Sequence, residues 1–586
     1  MRLGPFGRFE VPPRLRAFVR ARETSLVVLA VAVGVIAGLV VAAMSGLVGL
    51  LHALFFNVPP NERLSALAGI DPMLALAVPC LGGLALGTAA LLIAHWRPGR
   101  EVDPIEANAL HGGRMSVIGS VIVAGQTVWS SGVGASVGLE AGYTQLASGL
   151  ASWLGRAFRL RRRDLRILVG CGAAAGIAGA FGAPLGGAFY AFELVIGAYS
   201  VASLAPVGAA AVTGYLVANS FAPAEIGLMA EGARVAGHDI LIAAAVGLLA
   251  GLFGIGVMRM VGYCEVLFGR LRVPSVLRPG IGGFLVGAMA IASPQVMSSG
   301  HGALHLTAMF GLPLATIGLV FVLKSMASIV SLGSGFRGGL FFASLLLGAL
   351  GGQLVAAGLE AIWPGLSLNH QAYAIIGMGA LSVSVIGGPL TMTFIALETT
   401  GDFWLTTTVL VAVIISAQVT RELFGYSFAT WRFHLRGETI RSAADIGWIR
   451  DLTVGRMMRH DPATVPVDTY VSDFRERFPL GSTGQVIAVD EDGRYAGMVP
   501  VPEAHAKELP DSTPIRGLLH HVHDVLTRDM SAREAAAAFD RAEAEALAVV
   551  DTEPSRRVIG LLTEAYALRR YSEESEVHRR ELLSDV

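Results

Sequence analysis

The sequence predicts an all-α polytopic membrane domain with broken helices, arranged as two related halves and followed by a small soluble α/β domain. Three observations point there. The 586 residues are 53% hydrophobic and only 15% charged, with a mean hydropathy of +0.60, too apolar for a soluble chain of this length. Apolar stretches lie near 25–57, 70–95, 114–133, 140–155, 167–198, 203–222, 237–262, 279–294, 314–333, 339–360, 372–398 and 404–424. Many approach the ~20 residues that a spanning helix needs, and Gly or Pro interrupts several, which reads as re-entrant half-helices. Finally, Phe181-Gly182-Ala183-Pro184-Leu185 precedes Glu193 as Ile386-Gly387-Gly388-Pro389-Leu390 precedes Glu398, with nine residues from Pro to Glu in both copies. Internal repeats are a plan of transporters whose site lies at the repeat interface.

Residues 1–24 are Arg-rich without a cleavable signal and read as a cytoplasmic arm. The membrane domain is expected over 25–436. Basic clusters at Arg97/Arg100, Leu154–Arg166 and Arg259–Arg278 separate apolar stretches. By the positive-inside rule they face the cytoplasm, and both termini are then expected on the cytoplasmic side; a bacterial-type inner membrane is the expected location. Cys80, Cys171 and Cys264 lie in apolar segments and form no disulfide or metal framework. After a linker at 437–448 the composition turns charged and mixed. Over 449–575 the order helix, strand, turn, strand occurs twice, once within Val467–Val501 with a strand at Gln485–Asp490, and again within Met530–Leu562 with a helix at Ala532–Ala544. Residues 576–586 form a C-terminal tail. The net charge of −1 names no partner, and none is expected among nucleic acids.

Glu140 is the sharpest functional signal. It stands in Gly138-Leu139-Glu140-Ala141-Gly142, a glycine-flanked break in an apolar stretch. A charged Glu at the bilayer centre costs at least ~2.5 kcal/mol, so an intramembrane acid marks a functional site by default. The following apolar run reads as a helix whose N-terminus carries about half a positive charge, a place for an anion. Gly-rich breaks at Gly132–Gly142 and Gly333–Gly339, one in each half, are expected to converge and direct two helix N-termini at one ion.

These residues resemble the CLC family of chloride channels and chloride/proton antiporters, and the tail resembles its paired CBS domains. The family's gating segment is matched by Gly138–Gly142, its Gly-x-Phe-x-Pro segment by Gly339-Leu340-Phe341-Phe342-Ala343, and its late Tyr-Ser pair by Tyr426-Ser427. The resemblance implies two inverted repeats and a homodimer with one anion path per subunit. It makes Glu140 the gate, competing with the anion when charged and withdrawing when protonated. Chloride is then held by the amides of Leu340 and Phe341 and the hydroxyl of Tyr426, with Gly138, Gly339 and Arg100 on the loops of the path. No cofactor is implied; chloride, with other small anions and protons as further candidates, is the transported ligand.

The departures are informative. The family's first signature, Gly-Ser-Gly-Ile-Pro, falls at Gly99-Arg100-Glu101-Val102-Asp103, where Arg100 replaces the serine or the loop is rebuilt. Where antiporters often carry paired glutamates, the second relaying protons, this chain has Glu193-Leu194. Leucine carries no proton, which slightly favours passive conduction over exchange. The adenine-nucleotide pattern of CBS domains lacks its hydroxyl in Gly497–Glu503 and its acid in Gly560–Tyr566, so a structural or dimerising tail is at least as well supported as nucleotide binding.

Other readings compete. Lys324 either attracts anions or snorkels from a helix end, and Tyr426 fits an interfacial aromatic belt as well as an anion site. Glu193 and Glu398 fit structural roles better than proton transport. Ser136 completes a G-x-S-x-G pattern, the mark of a serine hydrolase. His301 and His305 are spaced for a shared metal but lack a third ligand. His520, His521 and His523 beside Asp524 fit a solvated linker or a pH sensor. A CBS-regulated magnesium pathway is a remote rival, since these breaks present amides and hydroxyls rather than the oxygen anions a hard cation prefers.

Overall fold

A computed structural model describes residues 12, 23–59, 62–97, 99, 101–221, 237–309, 313–435, 453–552, 554–567, 569 and 570. The N-terminal arm apart from residues 12, 23 and 24, nearly all of the linker and its flanks, Arg100 and the C-terminal tail lie outside these residues. The chain divides into two units, 1–445 and 446–586.

In the first unit the apolar stretches are helices. The first half contains α1 (Glu23–Phe56), α2 (Pro72–Trp96), α3 (Pro104–Leu110), α4 (Val117–Gly132), α5 (Glu140–Ala157), α6 (Arg162–Phe181), α7 (Pro184–Tyr190, continued as a π-helical turn over Ala191–Ile196) and α8 (Val201–Phe221). The second half repeats the series as α9 (Gly237–Arg270), α10 (Arg278–Ala292), α11 (His301–Met309), α12 (Leu314–Ser334), α13 (Phe341–Ile362), α14 (His370–Ile386), α15 (Pro389–Thr400) and α16 (Phe403–Leu423), and α17 (Phe428–Leu435) follows. Eight helices among the described residues are long and apolar enough to cross a membrane.

The halves match element by element. Each opens with a 34-residue helix, and α1 packs on α8 as α9 packs on α16. Small residues make both seams. A Cβ on Gly34 or Gly38 of α1 would fall 2.7 Å from the carbonyl oxygen of Ala210 or Gly214 in α8, and one on Gly247 of α9 would overlap the carbonyl of Ala412 in α16. Glycines four residues apart let backbones approach closely where lipid gives helices no hydrophobic reason to associate.

The Pro-to-Glu repeat explains itself in space. Helices α7 and α15 both start at a proline after a glycine in the left-handed region, Gly182 at φ 67° and Gly387 at φ 89°. Glu193, at the end of the first copy, accepts from the amides of Leu390 and Thr391 at 2.9 and 2.8 Å and from the Thr391 hydroxyl at 2.6 Å. Glu398, at the end of the second, accepts from the amides of Leu185 and Gly186 at 2.8 and 2.9 Å. Each acid therefore caps the first turn of the other copy's helix, satisfying orphan amides and the positive helix end. A reciprocal exchange of this kind is the signature of a two-fold axis between inverted repeats.

The second unit carries two three-stranded sheets of the same topology. In one, β1 (Thr464–Pro466) runs parallel to β2 (Gln485–Val489), which pairs antiparallel with β3 (Tyr495–Pro500); in the other, β4 (Leu526–Thr527), β5 (Ala546–Val550) and β6 (Val558–Thr563) repeat the order. Helices Val471–Arg477 and Ala532–Ala542 cover them. The duplicated helix and strand pairs stand within a residue or two of their sequence positions. The short leading strands β1 and β4 had no sequence signal, being three and two residues long.

Candidate functional site

The two glycine-rich breaks meet. Gly138 and Gly339 form an antiparallel bridge, each amide donating to the other's carbonyl at 3.0 and 3.2 Å. Because α5 begins two residues after Gly138 and α13 two residues after Gly339, this bridge fixes both N-termini side by side. The first amides of each helix have no intrahelical acceptor.

Glu140 opens α5 and is 4% exposed. Its carboxylate folds back over Gly138, where a Cβ would overlap it, and lies toward the backbone amide of Phe342 at the start of α13. The other oxygen, Oε2, is buried with no hydrogen-bond partner. The acid thus sits at the helix end where the anion is expected, in the position of a competitor. Lys324 lies close enough to attract it electrostatically. This lysine is 0% exposed and does not snorkel; its Nζ donates to the carbonyls of Val296 and Ser298 at 3.1 and 2.8 Å.

Glu140 lines a cavity of about 190 Å³. Its wall contains Glu140, Gly339, Leu340 and Phe341, so the structure brings these four predicted residues together. Gly138 stands behind them in the bridge, and Arg100 lies outside the described residues. Tyr426 is not on this wall. Its ring packs against Phe424 and Trp431, with centroids 6.1 and 5.7 Å away, while Phe428, Ala429 and Arg432 of α17 face the cavity. The tyrosine on the wall is Tyr190, at the end of α7, and Thr127 and Thr144 bring further hydroxyl-bearing side chains to it.

Sequence reasoning also passed over the charges on this wall: Glu101, Asp103, Arg337 and Arg432. The rebuilt first signature is seen in Asp103, whose carboxylate caps α3 by accepting from the Ile105 amide at 2.8 Å. An acid therefore sits at this helix end, where the expected signature has none. Leu194 contributes an apolar patch to the same wall. Tyr190 had a faint sequence signal, a phenol in an otherwise apolar, glycine-rich helix one turn before Glu193.

Two rival readings fail on local geometry. The Ser136 hydroxyl pairs with the Ser328 hydroxyl at 3.0 Å, and its amide donates to the Ser331 hydroxyl oxygen at 3.0 Å. Its partners are serines, not the imidazole that would activate a nucleophile. His301 bonds to the Ser299 hydroxyl and stacks on Phe342 with centroids 3.4 Å apart, while His305 faces outward. In the second unit His520 pairs with Glu503 at 2.7 Å on an exposed surface.

A polytopic membrane protein with two inverted repeats, broken helices meeting at a buried acid, and a duplicated α/β domain is a CLC-type permease. The chain belongs to the voltage gated chloride channel family, whose model matches residues 82–421, and a CBS domain model matches residues 451–501. A putative chloride channel protein, ClcB-like, from Ralstonia nicotianae is 32% identical over 397 residues, covering 64% of this chain and 92% of that protein. The voltage-gated ClC-type chloride channel ClcB of Escherichia coli is 28% identical over 403 residues, 67% of this chain and 95% of the relative. Among solved structures, a slow cyanobacterial Cl-/H+ antiporter superposes with a TM-score of 0.62 at 22% identity, over 70% of this chain and 97% of its own. A eukaryotic CLC transporter reaches 0.58 at 19% identity, over 94% of this chain and 98% of its own. The protein is thus a CLC-type chloride transport protein with a CBS-type second unit, and these structural likenesses attest the fold alone.

Proposed function

We propose that Glu140 gates chloride as it crosses the membrane through the cavity that this acid lines. The observation that carries this reading is the Glu140 carboxylate, 4% exposed with one oxygen unpaired, lying at the N-terminus of α13 where two broken helices meet. A charged carboxylate there excludes chloride from the amides of Leu340 and Phe341. A protonated one loses its attraction to the helix end and releases the site. The names of the relatives, chloride channels, support the same anion. Each protomer is read as one path in a homodimer, with both termini in the cytoplasm.

Two modes share this gate. The apolar Leu194 favours passive conduction, the mode slightly preferred from sequence. A specific observation favours chloride/proton exchange instead: Glu101 and Asp103 stand on the cavity wall with Glu140, so the space is not without proton acceptors. We adopt exchange. Protein reconstituted in liposomes and given a chloride gradient tests it, with chloride efflux and internal pH recorded together. Uphill proton movement driven by chloride is the expected result; chloride flux that drives no protons restores the passive reading, and absence of chloride flux removes both.

A further inference from the structure

We infer that Glu101 is the inner proton-exchanging group of this transporter, taking protons from Glu140 across the cavity and passing them toward the cytoplasm. The inference rests on the exchange reading above. A proton that leaves Glu140 inward needs a base that can hold it. Leu194, at the place where the sequence pattern sets a second acid, has none. The titratable and charged side chains that do face this cavity are Asp103, Glu101, Tyr190, Arg337 and Arg432. Guanidinium groups stay protonated, and a phenol is not a base near neutral pH. Asp103 is committed to capping α3 through the Ile105 amide at 2.8 Å, and protonation would weaken that cap.

Among the described residues, Glu101 caps no helix through a hydrogen bond. It is half-buried, and its carboxylate is seated against Gly119 of α4, where a Cβ would overlap it. The glycine makes room for the acid and fixes its place on the wall. On the wall of the same cavity Glu140 presents a buried, unpartnered oxygen. A space of about 190 Å³ holds several waters at about 30 Å³ each, enough to link the two carboxyl groups. In the transfer, the O–H bond of protonated Glu140 breaks and leaves its electron pair on that carboxylate. The proton passes along the water and forms an O–H bond on Glu101. Net charge in the cavity is unchanged, and Glu140 is returned to the charged form that closes the anion site.

The test is the proton-to-chloride ratio of full-length protein in liposomes, for wild type, Glu101→Gln, and Glu101→Gln combined with Leu194→Glu. Proton movement per chloride is expected in wild type, lost in Glu101→Gln, and regained in the double variant, whose new carboxyl faces the same cavity. An unchanged ratio in Glu101→Gln overturns the assignment while leaving exchange intact. Loss of chloride and proton movement together that Leu194→Glu does not restore also overturns it, because Glu101 is then part of the anion path or the fold. A wild type that moves chloride without protons refutes the exchange reading itself, a failure seen before any variant is made.

Discussion

The two halves of the membrane unit share a scaffold and differ in chemistry at the two helix ends that meet. Both begin with a 34-residue helix, both break at a glycine, and both end in an acid that caps the other half's helix. Yet α5 opens on Glu140 whereas α13 opens on Phe341. Symmetry builds the pair of helix ends, and its violation places a titratable acid at one of them. Two glutamates at those ends would repel each other and the anion; two phenylalanines would leave nothing to titrate.

The comparison is broken most severely at the seams. Gly34→Leu in the first half and Gly247→Leu in the second should each cost about 3 kcal/mol or more, the upper end of overpacking penalties, because backbone carbonyls cannot yield to a side chain. Comparable loss of monodisperse, folded protein in detergent for both variants is expected if the halves are structurally equivalent.

The reciprocal caps come next. Glu193→Ala strands two amides and a hydroxyl, and Glu398→Ala two amides. A stranded polar group costs about 1–3 kcal/mol, so each variant should lose about 2 kcal/mol or more, with Glu193 the larger. Thermal unfolding of the membrane unit measures this, and a neutral effect at either site would break the two-fold account.

A smaller effect sharpens the path itself. Removing the phenol hydroxyl of the tyrosine on the cavity wall, in Tyr190→Phe, should change the chloride/nitrate permeability ratio by an amount worth about 1 kcal/mol. Tyr426→Phe, with its ring packed on Phe424 and Trp431, should change it less. Permeability ratios from both variants decide which tyrosine the anion meets.

The smallest effect lies in the second unit. Asp551 is held below the usual carboxylate range first by the Ser555 hydroxyl and then by backbone amides. Its contribution to stability is therefore present above the unfolded-state value and lost as pH falls through the lowered one. Amide protection at 552 and 555–557, taken relative to the intrinsic exchange rate at each pH, should fall on acidification in wild type and depend less on pH in Asp551→Asn.

Much of this was legible in the sequence because it is local or periodic. The glycine break around Glu140, the equal Pro-to-Glu intervals and the duplicated helix and strand order are read within windows of tens of residues. The purpose of Glu193 and Glu398 was not, since each meets amides about 200 residues away. Family pattern pointed to Tyr426; that Tyr190 lines the cavity depends on burial and side-chain direction, which belong to the fold. Glu101 was hidden for a similar reason: its seat is a glycine on another helix.

The most direct measurement is chloride flux against pH in liposomes for wild type and Glu140→Gln. In wild type, acidification should raise flux, because protonation removes the competing charge from the α13 N-terminus. In Glu140→Gln, chloride should pass at a rate nearly independent of pH, since the amide cannot switch. A variant whose flux remains as pH-sensitive as wild type would contradict the account and remove Glu140 from the gate.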